Sequence, residues 1–155
     1  MANVFDVSAY ILRKAGAMSA MKLQKLVYYS QAWSLVWDEK PIFSERIEAW
    51  ANGPVCPELY QAHKGQFTVS KIAEGRPSRL SSDERETIDV VLKKYGGKSA
   101  PWLSDLTHKE WPWKNARRGI RSPLQGDGCG RARRMSARPL SVAAGFRSPL
   151  PCRTV

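Results

Sequence analysis

Cysteine, histidine and long apolar runs are all scarce in this chain. Its three cysteines, Cys56, Cys129 and Cys152, form no Cys-x-x-Cys pair, and its two histidines, His63 and His108, stand far apart. Neither a disulfide framework nor a zinc site follows from that pattern, and it fits a reducing cytoplasm. No stretch approaches the roughly 18 consecutive apolar residues of a membrane span, and the N-terminus lacks the apolar block of a signal peptide. A cytoplasmic protein without membrane attachment is expected. Glycine-rich phosphate cradles, paired-carboxylate motifs and nucleophile-base arrangements are missing too. The expectation is therefore a binding protein with no cofactor and no metal, not an enzyme.

What is present is unevenly placed. Fourteen of the fifteen aromatic residues precede Gly119, and only Phe146 follows it. Each buried aromatic removes on the order of 150 to 250 Å² from water, so the core is expected within residues 1–118. The net charge of +11 divides in the same way. Residues 1–118 hold 18 Lys and Arg against 13 Asp and Glu, whereas residues 119–155 hold seven Arg against Asp127 alone. The high pI is thus largely a property of the tail, and basicity argues only weakly for nucleic acid. That tail has five Gly, four Pro and no Lys, and repeats Arg-Ser-Pro-Leu at Arg121 and Arg147. It is expected to be disordered or irregular, and its change to Arg alone resembles GC-rich DNA read in a shifted frame.

Along the body, caps and periodicity predict about five helices and a small β-hairpin, a mainly α (α+β) bundle. Asn3 caps a first helix with Val4, Val7, Ile11 and Ala15 on one side, and Gly16 stops it. Ser19 caps a second, in which Leu23, Leu26, Val27, Trp33 and Trp37 line one side while Lys22, Gln24 and Lys25 lie toward another. Ile42 to Val55 reads as short extended pieces ending at a turn, Asn52-Gly53-Pro54. Pro57-Glu58 opens a short helix that Gly65 closes, and residues 66–79 read as a loop or irregular strand. Ser81 and Glu84 form a capping box ahead of Ile88, Val91, Leu92 and Tyr95. Ser99 and Pro101 open another helix with Trp102, Leu103 and Leu106, and Thr107 with Glu110 reads as a second capping box before Trp111-Pro112-Trp113.

Three ordered stretches carry a family likeness. The first is Met21-Lys22-Leu23-Gln24-Lys25-Leu26-Val27-Tyr28-Tyr29-Ser30-Gln31-Ala32-Trp33. The second is Ile47-Glu48-Ala49-Trp50-Ala51-Asn52-Gly53-Pro54-Val55, followed by Pro57-Glu58-Leu59-Tyr60. The third is Leu106-Thr107-His108-Lys109-Glu110, running on to Pro112-Trp113. Over residues 4–118 the chain resembles the Panacea antitoxin family, which includes SocA-like, phage-associated proteins. The resemblance implies an antitoxin that binds and neutralises a protein toxin encoded beside it. Toxins of the family are chemically diverse, and many block translation. A relative that also acts as a protease adaptor adds host protease machinery as a second class of partner. Family members usually continue past the third stretch with a further helical segment that residues 119–155 do not resemble.

Within these stretches, Lys25, Tyr28, Tyr29, Trp33, Gly53, Pro54, His108 and Trp113 are the candidate partner-binding residues. Each has a plainer reading. Lys25 either anchors an acidic partner patch or carries its ammonium to water, so reversing its charge is expected to leave the body folded, whereas Leu26→Asp is expected to unfold it. Tyr28, Tyr29 and Trp33 suit a binding hot spot, yet their helical spacing favours the core. Gly53-Pro54 suits a turn. His108 is the sole candidate for chemistry, and no nucleophile or carboxylate motif accompanies it. A nucleic-acid-binding regulator, using Arg13, Lys14, Lys22 and Lys25, is the alternative to the antitoxin reading.

Overall fold

The computed structural model describes residues 1–118, and the expectations for the tail lie outside the described residues. The first helix begins where two residues satisfy each other's backbone. The Asn3 side chain accepts from the Asp6 N–H at 2.9 Å and the Asp6 carboxylate accepts from the Asn3 N–H at 3.0 Å, a capping box that opens α1 (Val4–Ala15). Val4, Val7 and Ile11 are fully buried on its inner side, and Ala15 is exposed. Gly16, at φ +80°, ends the helix in a conformation that L side chains disfavour. A two-residue strand, β1 (Met18–Ser19), follows. Ser19 then caps α2 (Ala20–Trp37) by accepting from the Lys22 N–H.

Helix α2 is the axis of the molecule. It packs against α1, β1 and five of the later elements, and all of its residues from Leu23 to Leu35 are buried. The expected one-sided stripe is therefore corrected: Gln24, Lys25, Ser30, Gln31 and Ser34 are as enclosed as the apolar residues. Their polar atoms reach backbone groups, which is what lets them be buried at modest cost. Gln31 illustrates this, donating to the Phe43 carbonyl and accepting from the Ile42 amide, both at 2.8 Å.

The hairpin forms as β2 (Glu48–Trp50) and β3 (Gly53–Val55), antiparallel, with Glu48 opposite Val55 and Trp50 opposite Gly53. Its tight turn is Ala51-Asn52, so Gly53 and Pro54 belong to the second strand and not to the turn expected of them. Helix α3 (Pro57–His63) begins with the proline as read from sequence. The stretch left as loop or irregular strand contains β4 (Thr68–Val69), which pairs with β1 to make a second two-stranded sheet. A single 3₁₀ turn at Pro77–Arg79 leads into α4 (Ser82–Tyr95), opened by the Ser81–Glu84 capping box.

The last helices are α5 (Ala100–Lys109) and α6 (Trp111–Ala116), making six in all among the described residues. Thr107 does not cap α6. It lies inside α5, fully buried, with its hydroxyl donating to the Ser104 carbonyl at 2.7 Å, and Glu110 sits at the N-cap of α6 without a side-chain cap bond. The spacing matched a capping box, but both side chains have stronger partners in the interior. No helix among the described residues is long and apolar enough to cross a membrane.

Candidate functional site

The β2–β3 hairpin is held by side chains that take its carbonyls almost in succession. Arg117 donates to the Ala49 carbonyl at 2.9 Å and Trp113 Nε1 to the Trp50 carbonyl at 2.9 Å. Ser104 Oγ donates to the Asn52 carbonyl at 2.7 Å, and Lys25 Nζ to the Pro54 carbonyl at 3.1 Å. Three helices, α2, α5 and α6, thus clamp the hairpin. A short hairpin is marginal by itself, and these bonds replace the neighbouring strands it lacks.

Lys25 is the inner jaw of the clamp. It is 1% exposed, which overturns the expectation that its ammonium reaches water. Burial lowers its amine to about 7, so its charge is held far less firmly than that of an ordinary lysine. The lysine fits because position 53 has no side chain. A Cβ on Gly53 would lie 2.6 Å from Lys25 Cε and 2.8 Å from Thr107 Oγ1, and the residue's φ of +113° is itself unfavourable for other residue types. His108 stands beside this group, its ring 4.2 Å from that of Trp113. Burial first, and then the nearby Lys25, push its pKa below the ordinary histidine value. Its Nε2 is buried without a partner among the described residues.

Tyr28, Tyr29 and Trp33 lie behind the clamp in the core. Tyr29 stacks on Tyr95 with ring centroids 4.5 Å apart and donates to both oxygens of Glu110 at 3.2 Å. Glu110 is 6% exposed, and burial raises its carboxyl to about 8, so it is largely protonated near neutrality. Tyr28 packs against Tyr29, and its hydroxyl is buried without a partner among the described residues. Trp33 stacks on Trp37 one turn further along. The structure therefore brings Lys25, Gly53, Pro54, His108 and Trp113 together, and sets Tyr28, Tyr29 and Trp33 apart as core. Around the hairpin Trp50 and Trp113 are half-buried, and Trp111, two residues before Trp113 at the start of α6, is 46% exposed.

The family model for the antitoxin SocA-like Panacea domain matches residues 23–114, a span that contains the whole clamp except Arg117. The chain belongs to this family. Among curated proteins it is similar to antitoxin SocA of Caulobacter vibrioides (strain NA1000 / CB15N), at 31% identity over 124 residues. That match covers 69% of this chain and 66% of the relative's length. No solved structure matches the chain.

The three stretches that carried the Panacea resemblance converge at this site. The first supplies Lys25, the second the hairpin, and the third Thr107, His108 and Trp113. Several residues of the Panacea domain escaped the sequence reading. Gln24 accepts from the Cys56 amide at 2.9 Å, and its Nε2 lies 2.9 Å from His63 Nε2, tying α3 to α2. Gln24 and Gln31 stand seven residues apart, on one side of a helix otherwise rich in apolar residues, and that spacing was the available signal. Glu110 was visible only as a cap residue, and Ser104 and Arg117 carried no signal. Cys56 is an enclosed thiol that burial pushes up to about 12, so it is unreactive.

Proposed function

We propose that this protein is a cytoplasmic antitoxin that neutralises a protein toxin encoded beside it by direct contact, without catalysing a reaction. The observation that carries this reading is that the stretches typical of SocA-like antitoxins meet on one clamped hairpin with tryptophans at its surface. Trp is enriched in binding hot spots, and a hairpin held at four carbonyls loses little further freedom when a partner docks. Lys25, Gly53 and Pro54 then act by holding the hairpin's shape, and Tyr28, Tyr29 and Trp33 by supporting it, while Trp113, with His108 beside it, belongs to the contact face and the exposed Trp111 extends it along α6. Polar groups in the clamp are spent on backbone carbonyls, an arrangement that supports recognition over catalysis.

The nucleic-acid alternative finds less support. Of the four cations it invoked, Lys25 is buried, Lys22 donates to the Gly96 carbonyl and Lys14 pairs with Asp89 at 3.5 Å. Co-expression with the product of the neighbouring reading frame tests the proposal. Growth rescue together with copurification is expected, and Trp111→Ala should weaken the complex by about tenfold or more while leaving circular dichroism unchanged. Rescue without any physical complex would remove direct neutralisation.

A further inference from the structure

On the side of α1 that carries Arg13, a groove of about 220 Å³ opens between that helix and the segment after β4. Its lining combines apolar Ala9, Leu12 and Ile72 with Arg13, Ser70 and Lys71. Leu12 and Ile72 are 5% and 4% exposed, so they form a floor, while Arg13, Ser70 and Lys71 are exposed along the rim. The groove is built into the fold, because its far wall is fixed. A side chain on Gly75 would collide with the Phe5 carbonyl oxygen and the Ala9 Cβ, and the Arg76 amide is held by the Asp6 carboxylate at 2.7 Å.

The two chain segments along the groove carry charge of one sign. Residues 12–22 and 64–73, which the β1–β4 pairing brings side by side, contain Arg13, Lys14, Lys22, Lys64 and Lys71 and no Asp or Glu. Lys14 and Lys22 have partners, but neither Arg13 nor Lys71 has a carboxylate within ion-pair distance among the described residues. Arg13 lies over the Tyr10 ring, 5.4 Å from its centroid, and stays exposed where it lines the groove. Glu74, the first carboxylate after Lys71, is exposed and makes no ion pair among the described residues.

We infer that this groove binds an extended acidic segment of another protein, with one apolar side chain on the Leu12–Ile72 floor and carboxylates at Arg13 and Lys71. Charge selects this occupant. The chain's own residues 119–155 carry seven Arg and one Asp, so they would be repelled, and a second copy would set one basic rim against another. Two free rim cations across an apolar floor suit a carboxylate-apolar-carboxylate pattern better than a phosphate backbone, which needs a longer track of cations. The groove is separate from the hairpin clamp, so an occupant here is additional to the toxin contact proposed above.

The test titrates the full-length protein with a fluorescein-labelled peptide of alternating Glu and Leu, followed by fluorescence anisotropy and amide chemical shifts. Binding that weakens with salt, shifts at Ala9, Ile72 and Gly75, and an affinity loss of about tenfold or more in Arg13→Glu/Lys71→Glu are expected. Both substituted residues are exposed, and circular dichroism checks that the variant is folded. Absence of shifts at those amides, undiminished binding by the variant, or equal binding of a Lys-Leu peptide overturns the inference. So does a 12-nucleotide DNA that shifts the same amides at lower concentration, which would assign the groove to nucleic acid.

Discussion

Lys25 and Glu110 are buried ionisable groups whose titrations pull stability in opposite directions. Burial lifts Glu110 to about 8 from an ordinary 4.5, so the folded protein keeps a proton that the unfolded chain releases. Its contribution is full below the unfolded value and is lost as pH rises through about 8. Lys25, lowered to about 7 from 10.5, is a proton that the unfolded chain binds and the folded one refuses, so its contribution grows as pH rises from about 7 toward 10.5. Urea midpoints measured near pH 5, 7 and 9 are expected to show Glu110→Gln flattening the acid-side slope and Lys25→Met flattening the alkaline-side one. Unchanged slopes in both variants would show that neither group titrates differently on folding. At neutral pH, Lys25→Glu would aim an unpaired carboxylate at the Pro54 carbonyl and is expected to cost about 3 to 5 kcal/mol, whereas Lys25→Met should cost no more than about 2. This replaces the sequence-based view that reversing the charge is harmless. A Lys25→Glu protein as stable as wild type would restore that view.

At the scale of elements, the helix caps at Asn3, Ser19, Ser81 and Ser99 were legible because each acts within one turn of chain and needs no distant partner. The face that α2 buries was not legible. A helix enclosed on all sides has no polar side to mark its orientation, and its Gln and Lys residues find partners only after the chain has travelled elsewhere. Thr107 and Glu110 misled for the same reason, since a local spacing rule competed with interior bonds that sequence does not display. Gln31 offers the sharpest test of that principle. Gln31→Ala would strip the Ile42 amide and Phe43 carbonyl of buried partners, and is expected to destabilise by about 2 to 4 kcal/mol. Hydrogen exchange should localise the damage, with amide protection at Ile42 lost before that of α4. Uniform loss across the molecule would mean that Gln31 supports the global core and not the connection it touches.

For the whole molecule, the division drawn from aromatic placement has a direct test. The continuous hydrophobic cluster among the described residues runs from Ala2 to Ala116, so a chain ending at Arg118 is expected to melt within about 3 °C of the full-length protein. A drop of about 10 °C or more would show that later residues complete the fold. Of the candidate site, Lys25, Gly53, Pro54, His108 and Trp113 were legible through their family pattern, Ser104 and Arg117 were not, and no role was, because burial and clamping are properties of the assembled chain. Assembly itself is where the enclosure of α2 has its largest effect. On the ribosome, α2 emerges some sixty residues before α5 begins, and at about 5 to 20 residues per second this leaves it uncovered for roughly 3 to 15 s. A helix that is apolar on several faces has no orientation in which it can lie harmlessly against a partial fold. Until α5 has packed on it, the segment from Leu23 to Leu35 is expected to stay partly uncovered, the kind of apolar surface that holdase chaperones bind.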